Sequence, residues 1–144
     1  MSTQTESGVR TLSYAEAIHE ATDQEMASDP NVIVLGIGVD DAKGIYGTTT
    51  GLQEKYGPDR VFDTPLAEDA MTGMIIGAAQ AGLRPIHAHI RMDFVLLAMN
   101  QLVNVAAKSH YMFGGSTSVP IVVRSYIGRS WGQGPQHSQA LHSY

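Results

Sequence analysis

The chain has 144 residues, 43% hydrophobic and 16% charged, which sets the expectation of one core-forming domain and excludes a disordered tail. Nine basic residues against fourteen acidic ones leave a formal charge of −5, without the basic stripe of a nucleic-acid binder. The absence of cysteine excludes disulfides, thiolate metal sites and cysteine nucleophiles. No apolar run approaches the ~18 residues of a membrane span, and the opening MSTQTESGVR has neither the charge nor the apolar stretch of a signal peptide. These features predict a soluble, cytoplasmic domain with neither nucleic acid nor membrane as a partner.

Residues 1–11 form a polar lead, and residues 12–144 the domain. Ser13 and Glu16 form a capping box, and Tyr14, Ala17, Ile18 and Ala21 keep helical spacing until Asp29-Pro30 stops the helix. Val32 to Leu35, closed by Gly36, is short and β-branched, as expected of a buried parallel strand. A glycine-bounded loop over 36–47 and a helix over 49–55 follow, then a strand at Arg60 to Asp63 and a long helix from Ala67 to Ala81. Next come a strand from Pro85 to Ile90, a helix from Asp93 to His110, a strand from Val119 to Arg124 and a glycine-rich loop from Ser125 to Pro135. Residues 136–144 look like the start of one more helix. This alternation predicts an α/β fold: a mostly parallel sheet with helices on both faces.

The helix after Pro65 has no charge from Ala70 to Gly82, so both of its faces are expected to be buried. Gly73, Gly77 and Ala81 recur every fourth residue. Glycine in a helix costs ~1 kcal/mol relative to alanine, and close approach of a neighbouring helix or subunit would offset it. Glu68 and Asp69 stand at the head of this helix. They can simply complement its dipole, or a carboxyl carried into an apolar setting can act as a hydrogen-bond donor.

His87 and His89 share one face of their strand. They are two ligands short of a structural zinc site, so pocket lining or packing is the better reading. Arg91 continues that side if the strand extends, and Asp93 reads as the cap of the next helix. Phe94 suits core packing by pattern alone. The Gly128 to Pro135 loop lacks the context of a phosphate-binding fingerprint; it reads instead as an active-site wall carrying Arg129 and Trp131. His137 is either a cap or a proton donor.

The stretches GLQEKYGPDRVFDTPLAEDAMTGMIIGAAQAGLRP, NQLVNVAAKSHYMFGG, VPIVVR and GPQHSQ resemble the beta subunit of the first component of 2-oxo acid dehydrogenase complexes. These are thiamin-diphosphate enzymes of the pyruvate, branched-chain and acetoin types. The resemblance runs from Leu12 to Tyr144 and implies the pyrimidine-binding domain of the thiamin-diphosphate fold, without its last part and without the transketolase-type C-terminal domain. It implies that Glu68 hydrogen-bonds the aminopyrimidine ring, favouring the imino tautomer that deprotonates the thiazolium carbon. Phe94 matches the residue that stacks on that ring, and His137 the histidine near the substrate and acyl acceptor. Glu68 and His137 are therefore the candidate catalytic residues, Glu68 and Phe94 the cofactor-binding ones. No metal ligand falls on this chain, because the family's magnesium and diphosphate motif belongs to an alpha-type partner.

Departures from the family pattern gather near the implied site. Gly36-Ile37-Gly38 stands where an acidic residue is common, His87-Ala88-His89 where V-E or C-E is common, and Arg91 where small or hydroxyl side chains are common. His87, His89 and Arg129 are thus substrate candidates, and such side chains suit a phosphorylated ketose or another polar anion. The leading expectation is a beta-type subunit of an enzyme that decarboxylates a 2-oxo acid and passes the acyl unit on. Alternatives are transketolase-like ketol transfer and a non-catalytic, partner-binding paralogue. Expected partners are the alpha-type subunit, a chain carrying the missing C-terminal domain, and a lipoyl domain or acyl carrier protein.

Overall fold

Ser13 opens helix α1 (Tyr14–Ser28) through a reciprocal exchange. The Glu16 amide donates to the Ser13 hydroxyl at 3.2 Å, and the Ser13 amide donates to the Glu16 carboxylate at 2.7 Å. Two amide donors that a helix start leaves open are thereby filled. This computed structural model describes residues 10–128 and 132–144, so most of the polar lead, and Arg129 and Trp131, lie outside the described residues.

Strand β1 (Val32–Gly36) is buried along its whole length. It runs between β2 (Val61–Phe62) and β3 (Arg84–His89), and β4 (Val122–Ser125) pairs with the far side of β3. All pairs are parallel, in the order β2-β1-β3-β4. Alternate residues of β1 feed opposite cores. Val32 and Val34 pack with Met26, Leu52 and Val61 on one face, while Ile33 and Leu35 pack with Ile75 on the other. Met26 belongs to α1 and Ile75 to α4 (Glu68–Gln80), so helices cover both faces as the β-branched strands require.

Several local expectations are corrected. The loop after β1 contains one tight turn, α2 (Gly44–Gly47), and α3 (Leu52–Tyr56) starts after Gly51, whose φ of 73° cannot continue a right-handed helix. The stretch from Asp93 to His110 is not one α-helix. It divides into α5 (Met92–Val95), a 3-10 turn at Leu96–Ala98, a π turn at Gln101–Ala106 and α6 (Ala107–Met112). The changes of pitch fall where this segment crosses α4, and both the 3-10 and the π stretch pack on it. Near the C-terminus only a 3-10 turn forms, at Pro135–His137. The Gln139 amide donates to the Asp93 carboxylate at 3.1 Å, which diverts it from the carbonyl four residues back that a helix would use.

Helix α4 buries Thr72, Ile75, Ile76 and Ala79 but leaves Gly77 and Ala81 exposed, contrary to the expectation of burial all round. A Cβ at Gly73 would meet the Gln101 side chain at 3.6 Å, while one at Gly77 would meet nothing within 4 Å. Among the described residues, no helix approaches at Gly77.

Gly36 is the tightest point of the sheet. Its φ is +140°, and a Cβ there would lie 2.2 Å from the Ala88 carbonyl oxygen. Gly36→Ala is expected to cost about 3 kcal/mol or more, combining backbone strain with a clash against backbone. Gly38→Ala, at φ +70° with nothing within 4 Å, should cost only about 1–2 kcal/mol. Urea midpoints at unchanged m-value measure both, and equal losses would contradict the close approach of β1 to β3.

Candidate active site

The carboxyl ends of β1 and β3 and the head of α4 meet at one small cleft, where open parallel sheets place their ligands. Its walls include Ile37, Thr64, Glu68, Met71, His87 and His89, and it encloses only about 10 Å³, roughly one water. Asp63 braces the rim. Its carboxylate accepts the Gly38 amide at 2.8 Å, tying the loop after β1 to the segment that leads into α4. Sequence reasoning did not single out Asp63, although it lies inside the FDTP motif.

The two acids at the head of α4 differ sharply. Asp69 is exposed and accepts a hydrogen bond from the Gln101 amide at 3.2 Å. Glu68 is half-buried on the cleft wall and, among the described residues, has no hydrogen bond or ion pair. A carboxyl group in that position remains available to a ligand.

His87 and His89 are 2% and 3% exposed, with ring centroids 4.3 Å apart. His89 Nε2 lies 3.2 Å from the Thr72 hydroxyl, while His87 Nδ1 is buried without a hydrogen-bond partner among the described residues. Burial, with a smaller contribution from His89, pushes the His87 pKa down to about 4. Burial also lowers that of His89, against an opposing pull from Glu68. Both rings are therefore neutral at pH 7. Thr72, which sequence reasoning missed, is the hydroxyl one helical turn beyond Glu68.

Arg91 leaves the line of the histidines, because β3 ends at His89. It is 3% exposed, and its guanidinium donates to the Gly128 carbonyl and, at 2.7 Å, to the Gln133 side-chain oxygen. Asp93 does not cap α5; Arg91 occupies the cap position. The Asp93 carboxylate accepts the backbone and side-chain amides of Gln139 at 3.1 and 2.9 Å. Burial pushes its pKa up, but the Gln139 hydrogen bonds, its own amide and nearby Arg91 together hold it below the ordinary value. Phe94, half-buried, meets the His137 ring edge-on, with centroids 4.9 Å apart and planes at 70°. Thus Glu68, His87 and His89 gather at one cleft, and Phe94 with His137 forms a second contact. Arg129 lies outside the described residues.

A family model described as transketolase, pyrimidine binding domain, matches residues 10–143. The chain is 45% identical over 132 residues to pyruvate dehydrogenase E1 component subunit beta-1, mitochondrial, of Arabidopsis thaliana, covering 92% of this chain and 36% of that protein. It is 49% identical over 129 residues to a pyruvate dehydrogenase E1 component subunit beta of Chaetosphaeridium globosum, covering 90% and 40%. It is 46% identical over 142 residues to the acetoin:2,6-dichlorophenolindophenol oxidoreductase subunit beta of Cupriavidus necator, covering 92% and 42%. The chain therefore spans well under half the length of these relatives. Among solved structures, a split gene transketolase in an inactive beta4 tetramer shares the fold at a TM-score of 0.57 and 18% identity, over 78% of this chain and 33% of that one.

The buried histidines give the fold an acid limit. A neutral buried ring binds its proton less readily than the unfolded chain does, so stability is full above pH 6.5 and falls as the pH drops towards 4. For His87, with a folded pKa of about 4, the loss by pH 4 amounts to about 3 kcal/mol. His87→Gln is expected to flatten this slope in urea titrations between pH 7 and pH 4. An unchanged slope would show that His87 is solvated in the native state.

Proposed function

The chain belongs to the transketolase pyrimidine-binding domain family, and on that premise we propose that it supplies the pyrimidine-binding half of a thiamin-diphosphate-dependent active site. The enzyme would be of the beta-subunit type that decarboxylates a 2-oxo acid and transfers the acyl unit to an acceptor. The observation that carries this reading is Glu68: a half-buried carboxyl with no hydrogen bond or ion pair among the described residues, on the wall of a cleft at the carboxyl ends of the strands. Asp63, Asp69 and Asp93 are all committed to internal hydrogen bonds.

The residues fit one side of such a cofactor. A carboxyl group suits a ring nitrogen of an aminopyrimidine, and the Phe94 ring, which lies outside the cleft wall, would be a flat apolar partner for its face only in a larger site. The narrow space between these walls, about 10 Å³, is smaller than a six-membered ring, and on the proposed reading a second chain would complete the site. When bound, thiamin diphosphate supplies the carbanion chemistry. This chain's share is to hold or release a proton at the Glu68 carboxyl and to place the His137 ring beside the reacting substrate. His87 and His89, neutral and buried, form the wall of the cleft behind Glu68 without adding a charge to it.

The diphosphate and magnesium would be held by an alpha-type partner, and the acyl unit would pass to a lipoyl domain or acyl carrier protein. The alternative of ketol transfer from a ketose phosphate loses its support. Neutral histidines carry no charge for a phosphate, and the Arg91 guanidinium is already engaged by Gly128 and Gln133. The similarity to pyruvate and acetoin enzyme subunits points the same way.

In the assembled enzyme, Glu68→Gln is expected to leave folding intact and lower turnover by about 100-fold, the scale of a lost acid–base group. Asp69→Asn keeps an acceptor for Gln101 and should cost little. Equal damage from both would favour a helix-dipole role for the pair. Calorimetry offers an independent check: the chain alone should bind magnesium thiamin diphosphate weakly, and tightly only with its partner present. Tight binding by the chain alone would overturn the half-site.

A further inference from the structure

We propose that Arg91 and Asp93 are positioning residues that grip the loop after β4 on both sides of His137 and hold its ring against Phe94 before any partner or cofactor binds. The part concerning turnover rests on the role given to His137 above; the part concerning the loop does not.

Residues 91–94 form one short segment directly after β3, and three of its side chains act on one target. Arg91 reaches Gly128 and Gln133, which precede His137, and Asp93 takes both amides of Gln139, which follows it. Phe94, next in sequence to Asp93, meets the His137 ring itself. The Met92 amide donates to the Tyr126 carbonyl at 2.9 Å, fixing the base of the segment to the chain leaving β4.

Energetics favour a clamp over incidental contact. Arg91 and Asp93 are 3% and 6% exposed, and charges so buried are costly unless hydrogen-bonded. Arg91 Nε and Asp93 Oδ2 have no hydrogen-bond partner among the described residues, so apart from the Asp93 amide and the attraction between the two charges, the compensation comes from this one loop. Letting the loop go would strand both charges. Packing alone would not select partners on either side of the same histidine.

The test uses carbon–proton correlation spectra of the histidine rings in the full, cofactor-free chain. The His137 signal, assigned by its loss in His137→Gln, is expected away from its random-coil position and to return there in Phe94→Leu. Arg91→Thr and Asp93→Ala should each move it most of the way back, while Asp93→Asn, which keeps the acceptor oxygen, should retain part of the displacement. Amide dispersion reports whether these variants fold. Should the buried substitutions unfold the chain, Gln133→Ala combined with Gln139→Ala removes two exposed partners and should at least halve the displacement. An unchanged His137 signal in the folded variants overturns the clamp.

In the assembled enzyme, Asp93→Ala should lower kcat/KM by roughly tenfold to a hundredfold, as misplacement of an active-site group does, with partial rescue by Asp93→Asn. A collapsed ring displacement with unaltered turnover would uphold the clamp and remove His137 from the chemistry.

Discussion

The close pairing of β1 with β3 sets the geometry of everything above it. Five residue pairs hold the two strands in register, from Val32 with Arg84 to Gly36 with Ala88. At the last pair the backbones approach so closely that no side chain fits at position 36. Two consequences follow. The loop after β1 and the segment after β3 leave the sheet side by side, and α4, packed on the opposite core, brings Glu68 to the gap between them. A residue with a Cβ at position 36 would spread the strands and widen that gap.

Polar groups at this end of the sheet are sorted by what they can afford to bury. The histidines of β3 lose their charge and keep their rings inside. Arg91 and Asp93 keep their charges and are held by charge-assisted hydrogen bonds. Glu68 is only half-buried and stands apart from both solutions, retaining access to solvent and to whatever enters the cleft. Functional groups are commonly those that the scaffold leaves uncompensated while committing their neighbours.

Strand positions were legible, apart from β4, which starts at Val122 and not at the expected Val119, because β-branched runs bounded by Gly and Pro can be buried in few other ways. Glu68 was singled out through the FDTP motif and its place at the head of an apolar helix, and the structure places it half-buried on the wall of the cleft. The segment after β3 was not. Its apolar residues keep near-helical spacing, and changes between 3-10, α and π pitch alter that spacing too little to be seen in sequence. Asp93 looked like a cap because aspartate before an apolar helical run usually is one. Its partner lies 46 residues away at Gln139, and no local pattern encodes a contact at that separation. The helix expected after Gln136 failed for the same reason: a tertiary hydrogen bond outcompeted the local one.

The same physics explains why this fold looks unfinished when taken alone. A cleft with room for about one water is too small to enclose a cofactor ring, yet its most available carboxyl lies on the wall. Leu97, Tyr111, Met112 and Phe113 are exposed along the segment that crosses α4, as are Gly77 on α4 and Ala81 at its C-cap. Exposed large apolar side chains of this kind are what a covering polypeptide would bury. The cleft and the bare stretch of helix share α4: Glu68 and Met71 line the cleft, while Gly77 lies open further along. The half-buried Glu68 carboxyl thus sits at the mouth of a narrow cleft, at the head of the same helix that lies open at Gly77.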